Sequence, residues 1–322
     1  MADWTGHRLS AAEQYVLMAR QAFAEVSPSY QAIAFAVAGD PAILGRLDAL
    51  PSPKRQPNLL LGAVRLLGGP VDDPTAFLDW TAANWSAVEA VVLTHRTQTN
   101  EARRCATLLP ALGALPGPLA LIEVGASAGL CLLPDRYAYR YETRNGTVEI
   151  GQSALTLSCT VTGPAPLPAE LPRIVWRRGL DLNPLDAAND EHARWLAALV
   201  WPEQRERFDI LSAALRIARL DPPVVIAGDL LTDLQPLVHE APADATVVVF
   251  HSAVLAYLGQ DDRRRFVHGL PELGRPVVWM SNESPGVVVD ADPAGHADRF
   301  LLAVDGRPTA WTGQHGHALD WI

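Results

Sequence analysis

A glycine-flanked serine sits directly behind an apolar run: residues 119–124 read LALIEV and residues 125–129 read GASAG. A short, continuously apolar run bounded by glycine has the pattern of a fully buried parallel strand. Parallel strands need crossover connections and cover on both faces. This one junction therefore commits the chain to a layered α/β architecture. It also carries two chemistries. Gly125-Ala126-Ser127-Ala128-Gly129 fits G-x-S-x-G, the elbow that presents a nucleophilic serine. With Glu123 ahead of it, the same stretch fits the glycine turn after the first strand of a nucleotide-binding domain, where small residues let backbone amides approach a ligand.

Chain order bears on the choice. In an α/β-hydrolase several strands precede the nucleophile elbow, and here no convincing strand precedes residue 119. Residues 10 to 115 read as helices. Ser10 and Glu13 form a capping box ahead of Val16, Leu17 and Phe23 at helical spacing. PSPKRQP is a proline-rich connector, and Gly68-Gly69 marks a C-cap. A helical cap domain, 1–115, and a sheet domain, 116–322, are the expected division.

Beyond the glycine motif the chain alternates. AGLCLLPDRY begins as a helix that Pro134 stops. RYAYRYE and TVEI flank Asn145-Gly146, a hairpin turn signal. ALTLSCTV alternates apolar and polar residues, as a half-exposed strand does. These segments predict an antiparallel insertion over about 135–172, with Tyr137, Tyr139 and Tyr141 on one face, packed against the cap or a second subunit. RIVWRRGLD, PPVVIAGD, ATVVVFHS and RPVVWMSNE are further strands separated by helices, and RFLLAVDGRPTAWTG is a closing hairpin. The fold class is α/β: a Rossmann-like, doubly wound, mostly parallel sheet with an N-terminal helical domain and an antiparallel β insertion.

Ligands of open α/β sheets bind beyond the carboxyl ends of the strands. Glu123, Asp181, Asp229 and His251 stand there. A nucleoside cofactor gives each acid a task. One at the second strand end accepts ribose hydroxyls, one at the third accepts an adenine amino group, and Glu123 balances a cationic ammonium or sulfonium. Gly125, Ser127 and Gly129 form the backbone turn, and His251 is the expected general base. As a nucleophile, Ser127 would need a histidine and an acid, such as Asp229 with His251 or Asp292 with His315. His315-Gly316-His317 lies in a polar loop and predicts no metal site.

IEVGASAGL together with GLDLNP resembles the first two motifs of class I S-adenosylmethionine-dependent methyltransferases, over roughly residues 116 to 290. RTQTNEARRCATLLP, LALIEVGASAGLCLLPDRYAY, RGLDLNPLD and RWLAALVWPEQRERFDILSAAL together resemble one uncharacterised bacterial family, domain of unknown function 2332, over most of the chain. The resemblance implies a methyltransferase-like Rossmann fold and S-adenosylmethionine as cofactor. It also implies that the segment bearing Gln98, Asn100, Glu101 and Arg103 folds over the cofactor mouth. Two departures stand out. Ser127 replaces the second glycine of the usual motif, and Glu123 and Asp181 are 58 residues apart where dinucleotide folds leave about 20. HSAVLAYL is not the Asn/Asp-Pro-Pro-Tyr signature of amino-group methylation, so a small oxygen acceptor is expected. A serine hydrolase and a non-catalytic cofactor-binding module remain the alternatives.

Composition narrows the partners. A net charge of -10 argues against a nucleic-acid binder, whose footprint is basic. Apolar stretches are short, which predicts no membrane span. Cys105, Cys131 and Cys159 form no CxxC pair and read as thiols of a reducing cytoplasm. MADWTGHRLSAAEQ lacks an apolar core, so no secretory signal is expected. A homodimer stays open.

Overall fold

The structure is a computed structural model that describes residues 9–293, 295, 296 and 298–322; the extreme N-terminus, on which the signal-sequence reading rests in part, lies outside the described residues. The chain divides into two compact units, residues 1–99 with 190–209 and residues 100–189 with 210–322.

The first unit is helical: α1 (Ala11–Gln21), α2 (Pro28–Gly39), α3 (Pro41–Ala49), α4 (Pro57–Leu66), α5 (Pro74–Ala83) and α6 (Trp85–Thr94). Ser10 and Glu13 form the expected capping box. Four of these helices carry proline in their first turn, where its missing N–H leaves no bond unmade. Phe23 packs edge-on against Tyr30 and Trp201, and Trp195 donates its indole N–H to the Arg96 carbonyl at 2.9 Å.

The second unit opens with α7 (Arg104–Gly113) and β1 (Leu119–Val124), and continues through β2 (Ala138–Thr143), β3 (Gly146–Ile150), β4 (Thr156–Thr162) and β5 (Ile174–Asp181). The chain then returns to the first unit for α8 (Asp190–Leu199), and the division falls inside α9 (Arg205–Ala218). The rest is β6 (Val225–Ala227), α10 (Leu234–Glu240), β7 (Thr246–Ser252), α11 (Gln260–Gly269), β8 (Val278–Glu283), β9 (Arg299–Val304), β10 (Arg307–Gly313) and β11 (Ala318–Trp321). The cut expected after residue 115 is displaced. From Arg104 to Leu112 every residue of α7 is buried, and a helix buried on all sides belongs to a core, here that of the sheet.

One 11-stranded sheet runs β3-β2-β4-β11-β10-β9-β8-β7-β1-β5-β6. It is mostly parallel, with β8, β7, β1, β5 and β6 side by side in one direction. No strand precedes Leu119 among the described residues. β1 is buried along its whole length, as its apolar run requires. The inserted strands form, but they are not a separate antiparallel sheet. β2 pairs antiparallel with β3 and parallel with β4, and β4 pairs parallel with β11, which joins the insertion to the main sheet. β11 itself carries too few residues, four, for a pattern to be read. The three tyrosines do share a buried face. Their hydroxyls donate to the carbonyls of Leu130, Pro134 and Ala106, so the neighbouring element is α7 and the turn after β1.

The helix expected after the glycine motif is absent. Two single 3-10 turns, Leu130–Leu132 and Pro134–Arg136, take its place. Gly129 at φ +70° breaks the α conformation at one end, and Pro134 disfavours it for the residue before at the other.

Candidate active site at the carboxyl edge of the sheet

Alternation along β1 sends Ala120, Ile122 and Val124 into the core shared with α10 and α11, and Glu123 to the opposite face. In register, Glu123 lies beside Gly179 of β5 and Phe250 of β7. Its carboxyl is buried, and its Oε2 has no hydrogen-bond partner. Burial pushes its pKa well above the usual carboxylate range, the nearby Cys131 thiol adds to this, and the Arg104 guanidinium opposes it.

A raised acid destabilises a fold as pH rises. Below the ordinary carboxylate pKa both states are protonated and nothing is lost. Above it the unfolded chain ionises more readily than the folded one, so stability falls. Glu123→Gln is therefore expected to unfold at a higher temperature than wild type near neutral pH, and to converge with it in acid. A thermal melt at several pH values checks this, and equal midpoints near neutrality would refute it.

Behind Glu123 the chain turns on Gly125 (φ +70°), Ser127 (φ +52°) and Gly129 (φ +70°). At Gly125 a Cβ would stand 2.4 Å from Val254 Cγ2, so glycine is required for space as well as for backbone conformation. Ser127 is a non-glycine residue in the left-handed region, and its hydroxyl is buried with no partner. The turn is clamped from three sides. The Ser127 amide donates to Asp181 Oδ2 at 2.8 Å. Asn100 accepts from the Leu130 amide at 3.1 Å and donates to the Ala126 carbonyl at 2.9 Å. The Leu185 amide donates to the Ser127 carbonyl at 3.0 Å.

The predicted residues fall into groups. Glu123, Gly125, Ser127, Gly129, Asp181 and Asn100 come together at this turn. Glu101 joins them, since its carbonyl accepts from the Cys131 thiol at 3.3 Å. Asp181 differs in its use: its second oxygen accepts from the Asn183 amide at 2.7 Å, so both oxygens hold backbone. Asp229 is exposed after β6 and accepts from the Leu231 amide through Oδ1. Arg103 is buried beside the turn after β10, where a Cβ on Gly316 would touch its carbonyl. Gln98 belongs to the other unit.

His251 is a correction. Strand alternation puts it on the face of Val247 and Val249, opposite Glu123, where it packs on Phe266 and Trp279. Trp279, a donor only, gives its Nε1–H to His251 Nε2 at 3.0 Å. The ring proton therefore sits on Nδ1 and goes to Glu283 Oε1 at 2.7 Å. With both nitrogens engaged and the ring fully buried, His251 has no lone pair for a substrate.

Arg104 is the residue that sequence reading passed over. It donates to the Ser252 carbonyl at 3.0 Å and to the Gln314 carbonyl at 2.9 Å, and its charge faces Glu123. It ties the start of α7 to the ends of β7 and β10. Its place inside the polar run RTQTNEARR was the available signal. Among the described residues no helix is long and apolar enough to cross a membrane.

No curated protein matches the chain. A family model does, over residues 12–321, and the chain belongs to that family, described as "Uncharacterized protein conserved in bacteria (DUF2332)".

Proposed function

We propose that the carboxyl edge binds a nucleoside cofactor, S-adenosylmethionine, and that the chain is a methyltransferase acting on a small molecule. The observation that carries the reading is Glu123: a buried acid with an orphaned oxygen, under a turn of small residues. Such a group is costly, the Arg104 guanidinium offsets that cost only in part, and a further cation would relieve it. The ammonium and sulfonium of the cofactor are cations of the right kind. Strand order supports the location. Numbered by appearance, the parallel strands lie third, second, first, fourth, fifth, the order of a doubly wound nucleotide-binding sheet, and the order in which strands are added reverses between β1 and β7. The GASAG turn lies at that switch point.

The residues suit the cofactor unevenly. Glu123 and the Ser127 hydroxyl have unmet hydrogen-bonding capacity, and exposed Asp229 can take a polar group. Asp181 serves by holding the turn in shape. When bound, the cofactor would supply an activated methyl group; the chain's own part is to orient it and exclude water.

Isothermal calorimetry with S-adenosylmethionine, S-adenosylhomocysteine, NAD and ATP tests the reading. Ser127→Ala is expected to weaken cofactor binding by about 0.5–1.5 kcal/mol, the worth of one neutral hydrogen bond. Glu123→Ala is expected to cost more, about 1.5–3 kcal/mol, on the scale for charged partners. No binding to wild type at millimolar ligand, or the reverse order of the two variants, would defeat it. One observation favours a second reading: Ser127 has the positive φ of a strained elbow serine. Its hydroxyl is bonded to no imidazole, however. Labelling by a fluorophosphonate that Ser127→Ala abolishes would establish the hydrolase instead. Cofactor binding without turnover would mark a binding module.

A further inference from the structure

With His251 turned to the other face, the edge needs another proton acceptor, and the turn after β10 presents one. His315 Nδ1 is buried and lies 3.1 Å from Glu101 Oε2, a contact within ion-pair distance that closes no hydrogen bond in the resting geometry. The Glu101 side chain is buried, whereas that of His315 is about a third exposed, at 35%. A carboxylate this close to one ring nitrogen favours the proton there and the lone pair on the other.

The dyad is wired to the glycine turn through one short segment. Asn100 clamps Ala126 and Leu130, Glu101 meets His315, and Arg104 holds the Gln314 carbonyl next to it. Gly316 is pressed against the Arg103 backbone at φ +77°, which fixes the turn that carries the histidine.

We propose that Glu101 and His315 form a carboxylate–imidazole dyad, and that His315 Nε2 accepts the proton of a hydroxyl or carboxylic acid on the small-molecule substrate. This rests on the reading of the carboxyl edge as a ligand site. Glu101 is a positioning residue that acts through the ring.

Nitrogen NMR of the full chain with ring-labelled histidine tests the dyad without any ligand. Signals missing from His315→Gln identify the ring. In wild type the proton is expected on Nδ1 with Nε2 bare; in Glu101→Ala the balance shifts to the Nε2–H form. Labelling with diethyl pyrocarbonate, read by mass spectrometry, is the second arm and needs no variant. His315 is expected to be modified in the folded chain, and buried His251 on the order of tenfold more slowly or worse, since it must wait for opening. A wild-type ring with its proton on Nε2, an unchanged tautomer in folded Glu101→Ala, or labelling of His315 no faster than His251 would overturn the dyad. Calorimetry separates this from the cofactor reading. Cofactor binding with the wrong tautomer retires the dyad alone; the right tautomer with no cofactor binding retires the cofactor alone.

Discussion

Glu283→Ala is expected to lower the stability of the sheet-bearing unit by about 3–5 kcal/mol, because it leaves several donors unmet in or near the core and each unmet donor costs about 1–3 kcal/mol. Glu283 ends β8, is 2% exposed, and accepts through one oxygen from His251 Nδ1 and from the amides of Val254 and Leu255. Deleting the carboxylate strands three donors at once, two of them on buried residues. Burial alone would raise its pKa, but the hydrogen bonds from His251 and the two amides hold it below the usual range. The sign follows. A depressed acid contributes stability that is present above its unfolded pKa and lost as pH falls through its folded value. Wild type should therefore shed this contribution in acid, below the ordinary carboxylate range, and Glu283→Ala should lack that part of the slope. Urea unfolding across pH measures both. A loss below about 1 kcal/mol, no more than one ordinary hydrogen bond, would show that water replaces the carboxylate and that the network is not structural.

Asp181→Ala carries the second large effect, about 2–3 kcal/mol with no ligand present. The carboxylate receives two charge-assisted bonds, from the Ser127 and Asn183 amides, each worth about 1.5–3 kcal/mol at best. Partial exposure reduces their sum. The loss should appear as instability of the glycine turn, so amide hydrogen exchange at residues 125–130 should quicken more than in the distant β9–β10 hairpin. Asn100→Ala opens the same turn from the other side, and the pair should be non-additive because they share one loop. Exchange that quickens evenly over the whole sheet would show that Asp181 supports the fold at large rather than this turn.

The division between sequence and structure runs along one physical line. Local periodicity and turn chemistry depend on neighbours in the chain, so they were legible. They include the capping box at Ser10, the Asn145-Gly146 and Asp305-Gly306 hairpins, the buried run of β1 and the polar residues at the strand ends. The gathering of Glu123, Ser127 and Asn100 was readable because one strand and its adjoining segments carry them all. Register and pairing depend on residues far apart in the chain, and these only the fold decided. Parity along β7 cannot reveal which face holds Glu123 until β1 and β7 are aligned, and that alignment sends His251 to the opposite core. Asp181 reads as a ligand acid until a backbone amide 54 residues earlier occupies it. Glu101 and His315 are 214 residues apart. No pattern in the chain joins them, and they meet because the turn after β10 and the segment leading into α7 arrive at the same edge of the sheet.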